Sequence, residues 1–278
     1  MPVLFRSDSS RLVSTARRLA AILLLSLAVV ACGKKEAPYV EKPVEELYNR
    51  AMDAMAAQEW EAAAKGFDEV ERQHPYSVWA NKAQLMAAYS YYQKNQYSEA
   101  ISAADRFIQL HPGSKETPYA YYLTAVCYYE QITDVGRDQK ITQQALSALE
   151  EVVRRYPSSE YARDARLKID LTRDHLAGKE MTIGRYYLRN NQQIAAINRF
   201  KAVIEKFQTT THVPEALHRL AEAYMSLGIV EEAQNVAAVL GYNYPGSEWY
   251  VDTYTLVTGQ AVPTASTSSE KKPWWNIF

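Results

Sequence analysis

The sequence predicts an all-α fold in which five helical hairpins stack into a solenoid. Residues 88–114 show the unit: two stretches with apolar residues three and four positions apart flank a short polar turn, K-N-Q at residues 94–96. The second stretch stops before Pro112, because proline cannot continue helical hydrogen bonding. One face of such a hairpin remains apolar, so neighbouring copies are needed to bury it.

Four further copies are in register with this unit. The position of Pro112 is matched by Pro75, Pro157, Gln208 and Pro245. Twelve residues before each of these stands an alanine, as expected where two helices cross closely: Ala63, Ala100, Ala145, Ala196 and Ala233. The first helix of each hairpin also carries a small residue: Ala51, Ala88, Ala125, Gly184 or Ala221. This pattern resembles the tetratricopeptide repeat, which implies a right-handed superhelix.

Two irregularities interrupt the repeat. The third hairpin has a longer polar turn at residues 133–140, either a tolerated surface insertion or a partner-contacting loop. Pro157 and Gln208 lie 51 positions apart, whereas Pro75 and Pro112 lie 37 apart. We expect the surplus to lengthen the first helix of the fourth hairpin, from about Glu160 to Leu188. This helix would divide the solenoid into residues 44–160 with repeats 1–3 and residues 161–257 with repeats 4 and 5.

The first 31 residues have the features of a lipoprotein signal peptide. Arginines precede an apolar run at residues 19–30, which is too short to cross a bilayer about 30 Å thick. The run ends in V-V-A-C, which resembles a bacterial lipobox and implies a covalent lipid on Cys32. The alternative is a plain secretory signal with an incidental cysteine. Gly33 after the cysteine implies export to the outer membrane.

The two flanking segments have little apolar content. Residues 32–43 are short, charged and proline-containing, which is typical of a tether. Residues 258–278 are predicted to be disordered, although they end in W-W-N-I-F. That ending favours either loose packing on the same chain or docking on a partner.

No motif in the sequence predicts catalysis. A His-Glu-x-x-His motif, a glycine-rich phosphate loop and a nucleophile elbow are all missing, so we expect no enzyme activity and no cofactor beyond the lipid. The net charge of −1 gives no electrostatic footprint for nucleic acid. Cys127 is expected to be a small buried residue; the alternative is a reactive thiol.

We therefore expect the protein to bind a partner in the groove of the solenoid rather than to catalyse a reaction. The first helices of such repeats line the concave surface. The repeat register places tyrosines in the front half of this groove and charged residues in the back half, and the chain has 21 tyrosines against 6 phenylalanines. The alternative for many of these tyrosines is ordinary packing between helices. The same register also places Leu85, Val126, Met181 and His218 in the groove.

Several segments resemble the ComL (BamD) family of lipoproteins over about residues 32–244. They are V-V-A-C, E-L-Y-N-R-A, D-R-F-I-Q-L-H-P, V-G-R-D-Q and G-R-Y-Y-L-R-N-N-Q-Q-I-A-A-I-N-R-F. The resemblance implies a lipid-anchored scaffold on the periplasmic face of the outer membrane, within the β-barrel assembly (BAM) complex. It implies that the C-terminal repeats bind the periplasmic domain of BamA, beside other BAM lipoproteins. The N-terminal repeats would receive the aromatic C-terminal signals of unfolded barrel proteins.

Position in the groove then assigns residues to these two roles. The expected peptide contacts are Tyr48, Tyr89, Tyr92, Tyr122 and Tyr129. The expected BamA contacts are Arg185, Arg189, Arg199 and Glu222. Another periplasmic repeat adaptor, for example one that coordinates cell-wall synthesis, is the alternative function; a lipoprotein hydrolase would need catalytic residues that the sequence does not show.

Overall fold

A computed structural model describes residues 41–261, and from Pro43 onward these belong to one compact unit. The predicted signal peptide, Cys32, most of the tether and residues 262–278 lie outside the described part. Within it the structure has eleven helices and no strand. They are α1 (Val44–Ala56), α2 (Trp60–Gln73), α3 (Val78–Gln93), α4 (Tyr97–Leu110), α5 (Thr117–Tyr129), α6 (Lys140–Arg155), α7 (Glu160–Arg189), α8 (Gln193–Lys206), α9 (Val213–Ser226), α10 (Val230–Asn243) and α11 (Glu248–Thr258).

The helices form five consecutive hairpins, from α1–α2 to α9–α10. Each helix contacts the next one along the chain, and each first helix also contacts the first helix of the following hairpin. This arrangement confirms the predicted solenoid of tetratricopeptide-like repeats. Apolar clusters therefore follow one another along the stack instead of forming one central core.

Small residues allow the helices of each hairpin to approach closely. The five alanines of the second helices are fully buried. At Gly184 of α7, an added Cβ would lie 2.5 Å from Cε1 of Phe200, a side chain that is itself fully buried. Gly184 is therefore required by the contact between α7 and α8.

The turn inside most hairpins has a common backbone form. Four of the five have one residue with a positive φ between 56° and 73°: Gln58, Asn95, Asn191 and Gly228. The amide of the next residue donates to a carbonyl five positions back, as in Glu59 N to Ala54 O at 2.9 Å and Gln96 N to Tyr91 O at 2.9 Å. These bonds satisfy carbonyls at the helix end. The third hairpin replaces this turn with its longer loop.

Both predicted irregularities are confirmed. The long turn of residues 133–140 lies between α5 and α6, and Lys179 Nζ of α7 donates to Gly136 O at 2.9 Å. Helix α7 is 30 residues long and ends one residue beyond the predicted Leu188. The division of the solenoid into two halves at this helix stays a prediction.

Helix α11 was not predicted. Its N-cap Ser247 stands two residues after Pro245, and the Ser247 side chain accepts from Trp249 N at 3.2 Å. Ser77 and Ser159 have the same position after a proline and cap α3 and α7, although their side chains accept from the amide three residues on, Ala80 N and Ala162 N. By register α11 therefore corresponds to the first helix of a repeat. Thr258, which the predicted tail included, is its last residue.

Candidate peptide-binding groove

Five tyrosines from three consecutive first helices form a cluster, named here the tyrosine cluster. Its members are Tyr89 and Tyr92 of α3, Tyr119 and Tyr122 of α5, and Tyr161 at the start of α7. The Tyr161 ring lies 5.5 Å from that of Tyr119 and stacks on that of Tyr122 at 5.3 Å. Burial raises the pKa of Tyr119, and the phenols of Tyr89, Tyr161 and Tyr92 raise this pKa further.

Tyr122 is held in place by a hydrogen bond between helices. Its hydroxyl donates to Asp164 Oδ2 of α7 at 2.5 Å, and Lys168 Nζ lies 3.1 Å from the same oxygen. Burial raises the pKa of Tyr122, and the hydrogen bond to Asp164 raises it further because a phenolate would repel the carboxylate. The Tyr122 hydroxyl therefore stays protonated and joins the third hairpin to the fourth.

Three of the five predicted contact tyrosines belong to this cluster: Tyr89, Tyr92 and Tyr122. Tyr48 packs at one end of the solenoid, 5.6 Å from the ring of Phe67 and 4.8 Å from that of Trp79. Tyr129 lies at the end of α5, with Lys168 Nζ 5.2 Å from its ring centre. All five are half-buried, so each packs against neighbouring side chains and keeps part of its surface accessible to solvent.

Tyr161 was missed as a site residue, although a repeat signal marks it. An aromatic residue stands two positions after each of three capping serines: Trp79, Tyr161 and Trp249. Each ring covers an equivalent position of the preceding first helix. The pairs are Tyr48–Trp79 at 4.8 Å, Tyr122–Tyr161 at 5.3 Å and His218–Trp249 at 5.3 Å.

Four other positions predicted to face the groove are buried: Leu85, Val126, Met181 and His218. The prediction was wrong there because stacking of adjacent first helices covers this side of each helix. His218 shows the effect, since its Nδ1 lies 2.8 Å from Thr253 Oγ1 on α11 and its ring contacts Trp249. Helix α11 was not predicted from the sequence, so His218 was expected to be exposed in the groove.

An ion-pair chain lies in the region that the sequence predicts to be the charged back half of the groove. Arg185 Nη1 donates to both carboxylate oxygens of Glu215 at 3.0 and 2.9 Å, which joins α7 to α9. Arg219 lies 3.7 Å from Glu215 and donates to Glu222 Oε2 at 2.8 Å. The Arg219 guanidinium also lies over Trp249 of α11, 5.5 Å from the ring centre. The structure thus links the predicted Arg185 and Glu222.

The other two predicted basic residues lie outside this chain. Arg199 of α8 pairs with Glu180 of α7 at 3.1 Å. Arg189 is exposed in the last turn of α7 and makes no ion pair within residues 41–261. Of the four predicted partner contacts, Arg189 is therefore the one whose charge is not matched by a neighbour in the described part of the chain.

The described residues offer little for covalent chemistry. They contain no group of three or more His, Cys, Asp or Glu side chains that could hold a metal ion. None of their helices is both long enough and apolar enough to span a membrane. Cys127 is fully buried, and burial together with the charge of Glu130 raises its pKa to about 12. Its thiol is protonated at neutral pH and is not a nucleophile.

Stacked helical hairpins of this form define a scaffold or adaptor of the tetratricopeptide class. A family model described as "YfiO: Outer membrane lipoprotein" matches residues 40–240, and the chain belongs to this family. Family membership implies association with the outer membrane.

Curated relatives cover most of the chain. A Caulobacter vibrioides protein is 55% identical over 249 residues, covering 88% of this chain and 82% of the relative. A Rickettsia prowazekii protein is 45% identical over 240 residues, covering 86% and 96%. Both are named "Outer membrane protein assembly factor BamD". Among solved structures, the P58(IPK) TPR domain has a TM-score of 0.40 at 14% identity, covering 77% of this chain and 55% of that one. The family and these relatives support a role in outer-membrane protein assembly.

Proposed function

We propose that this protein is a lipid-anchored scaffold of the outer-membrane β-barrel assembly complex, and that its tyrosine cluster binds the aromatic C-terminal signals of unfolded barrel proteins. The observation that supports this proposal is the position of the five tyrosines on the consecutive first helices α3, α5 and α7. Ring contacts join Tyr161 to Tyr119 and Tyr122, and Tyr92 packs on the same apolar cluster as Tyr119. The names of the curated relatives support the same setting. The lipid would be attached at Cys32, outside the described residues, and would hold the scaffold on the periplasmic face.

Half-buried tyrosines suit recognition of an aromatic, extended peptide. Neighbouring rings and the bond from Tyr122 to Asp164 already restrict the side chains, so little conformational freedom is lost on binding. Each ring offers an apolar face and a polar tip, and tyrosine is enriched among the residues that dominate binding energy. Backbone groups of an extended peptide would accept from or donate to the hydroxyls while its aromatic side chains meet the rings.

The first experiment changes Tyr89 and Tyr92 together to alanine. We expect binding of a fluorescent peptide carrying a barrel C-terminal signal to weaken about tenfold or more, because two rings are lost from the cluster. Anisotropy titrations measure the affinity, and circular dichroism checks that helicity is kept. The matched control changes Tyr76 and Tyr242, both exposed and outside the cluster, to alanine. Equal affinities for the two double variants contradict the proposal.

The C-terminal repeats would bind the periplasmic domain of BamA through the ion-pair chain and through Arg189. Arg189 needs no internal pair to be broken, whereas Arg185 must exchange or extend its pairing with Glu215. Arg199 would act from α8, where it now pairs with Glu180.

Charge reversal tests this second contact. Arg189→Glu combined with Arg199→Glu should reduce co-purification of BamA from detergent-solubilised envelopes at least fivefold, because like charges replace the complementary ones. Arg163→Glu, at an exposed position in the first half of α7, serves as the control. BamA recovery that is the same in the double variant and the control argues against this part of the proposal.

A further inference from the structure

An apolar patch lies exposed at one edge of the fourth and fifth hairpins, named here the edge patch. It consists of Ile194 at the start of α8 and Leu227, Ile229 and Val230 around the turn between α9 and α10. Ile194 is 71% exposed, and it lines the same shallow depression as Leu227. Single exposed apolar residues are normal on a protein surface, but a contiguous group marks an interaction site.

The chain returns to this edge when it leaves α11. Helix α10 runs opposite to α9, and α11 runs opposite to α10, because each pair is joined by a short turn. Tyr250 near the start of α11 lies against Gly241 near the end of α10, which fixes that end of the pair. The last residues of α11 therefore point toward the turn between α9 and α10. An α-helix rises about 1.5 Å per residue, and α11 is slightly shorter than α10. Measured along the helix axes, the end of α11 therefore lies within roughly 5–10 Å of Val230.

The sequence that follows contains a ligand of matching chemistry. Residues 262–272, V-P-T-A-S-T-S-S-E-K-K, form a polar linker, and residues 273–278 read P-W-W-N-I-F. A chain of eleven residues with random-coil dimensions spans about 18 Å on average. Lys271 and Lys272 precede the aromatic residues, and the exposed Glu231 and Glu232 directly follow Val230 of the edge patch. The length of the linker, the apolar character of residues 273–278 and the charge of the two lysines therefore all match the edge patch.

We propose that residues 273–278 dock on the edge patch of the same chain. The rings of Trp274 and Trp275 cover Ile194 and Leu227, and the two lysines lie beside Glu231 and Glu232. A linker of this length gives a local concentration on the order of a millimolar. An intrinsic dissociation constant of about 100 µM then keeps the patch about nine-tenths covered. The inference is independent of any role of the tyrosine cluster.

Site-specific photo-crosslinking tests this contact in the full chain in detergent. Trp275→p-benzoylphenylalanine places the photoreactive group within residues 273–278, and mass spectrometry identifies the peptides to which it becomes joined. We expect cross-links within one chain to peptides that contain Ile194 or residues 227–232. Cross-links to a second copy, to another protein, or to a different region of this chain overturn the proposal.

Matched surface variants show whether the edge patch is the docking site. Ile194→Ser with Leu227→Ser should lower the intramolecular cross-link yield at least fivefold. Leu167→Ser with Leu171→Ser should leave this yield unchanged, since these residues of α7 are similarly exposed, at 63% and 60%, but lie outside the patch. All four side chains are largely outside the core, so both variants retain the fold. An unchanged yield in the first variant, or equal losses in both, overturns the assignment.

Discussion

Individual residues decide how closely these helices approach, and Gly184 shows this most directly. A methyl group at this position meets the buried ring of Phe200, which has no space to move away. We expect Gly184→Ala to lower the free energy of unfolding by about 1–3 kcal/mol, as other overpacked cores do. Urea denaturation followed by circular dichroism measures the change. Gly113→Ala, where an added methyl contacts nothing, is the control, and an equal effect in both variants contradicts the packing argument.

A second prediction at the scale of one residue concerns the contribution of the Tyr122 hydroxyl to stability. Tyr122→Phe removes the hydrogen bond to Asp164 but keeps the ring. We expect a loss of about 1 kcal/mol in the free energy of unfolding, because Asp164 is partly solvated and water replaces some of the interaction. Tyr89→Phe is the control, since its hydroxyl makes no direct hydrogen bond within residues 41–261. Equal urea midpoints for Tyr122→Phe and Tyr89→Phe count against this role.

The lowered pKa of His218 leads to a prediction of how the free energy of unfolding depends on pH. Burial lowers its pKa below the usual 6.5, and the charge of Arg219 lowers it further, while Glu222, Asp252 and Glu215 oppose this shift. The unfolded chain therefore binds a proton at higher pH than the folded chain does. The contribution of His218 to stability is complete above about pH 6.5 and is lost as the pH falls through the folded pKa.

The test compares urea denaturation between pH 7.5 and 5 for the parent chain and His218→Gln. We expect the free energy of unfolding of the parent to fall more steeply below pH 6.5 than that of the variant. Parallel curves show that His218 does not carry the dependence.

At the scale of secondary-structure elements, α11 depends on a single cap. Ser247→Ala removes the acceptor for the amide of Trp249, and such losses cost about 1 kcal/mol. We expect faster hydrogen exchange at residues 250–258, with little change in α1–α8, because each hairpin contacts only its neighbours. Ser98→Ala, at an exposed position inside α4, is the control. Uniform acceleration along the chain contradicts the local role of the cap.

The hairpins and the long α7 were predictable because their signals repeat along the sequence. Position-by-position comparison located the buried alanines and the surplus length before α8. Helix α11 gave no such signal over its short length, and its serine cap is recognisable only once Ser77 and Ser159 are known to cap helices at the same position after a proline. Four of the predicted groove positions are buried, because a repeat register tells which side of a helix a residue occupies but not how far the next hairpin covers it. The peptide and partner contacts stay predictions.

At the scale of the whole molecule, stability comes from contacts between consecutive hairpins, and Cys127 can report on it. The sequence has two cysteines, so Cys32→Ser leaves the buried Cys127 as the single thiol. We expect maleimide labelling of Cys127 to be at least a hundredfold slower in the folded chain than in urea, since the third hairpin must open first. Labelling at the rate of the unfolded chain contradicts tight packing in the middle of the stack.

The ion-pair chain from Arg185 to Glu222 has a consequence for how fast a partner arrives. Two arginines and two glutamates alternate along it, so its charges cancel within a few ångströms and its field falls off quickly with distance. The paired charges therefore contribute little long-range attraction to an approaching partner, and a dependence of the association rate on ionic strength should come instead from Arg189, which is unpaired within residues 41–261. The dissociation rate, which depends on pairs re-formed at contact, is where added salt should act.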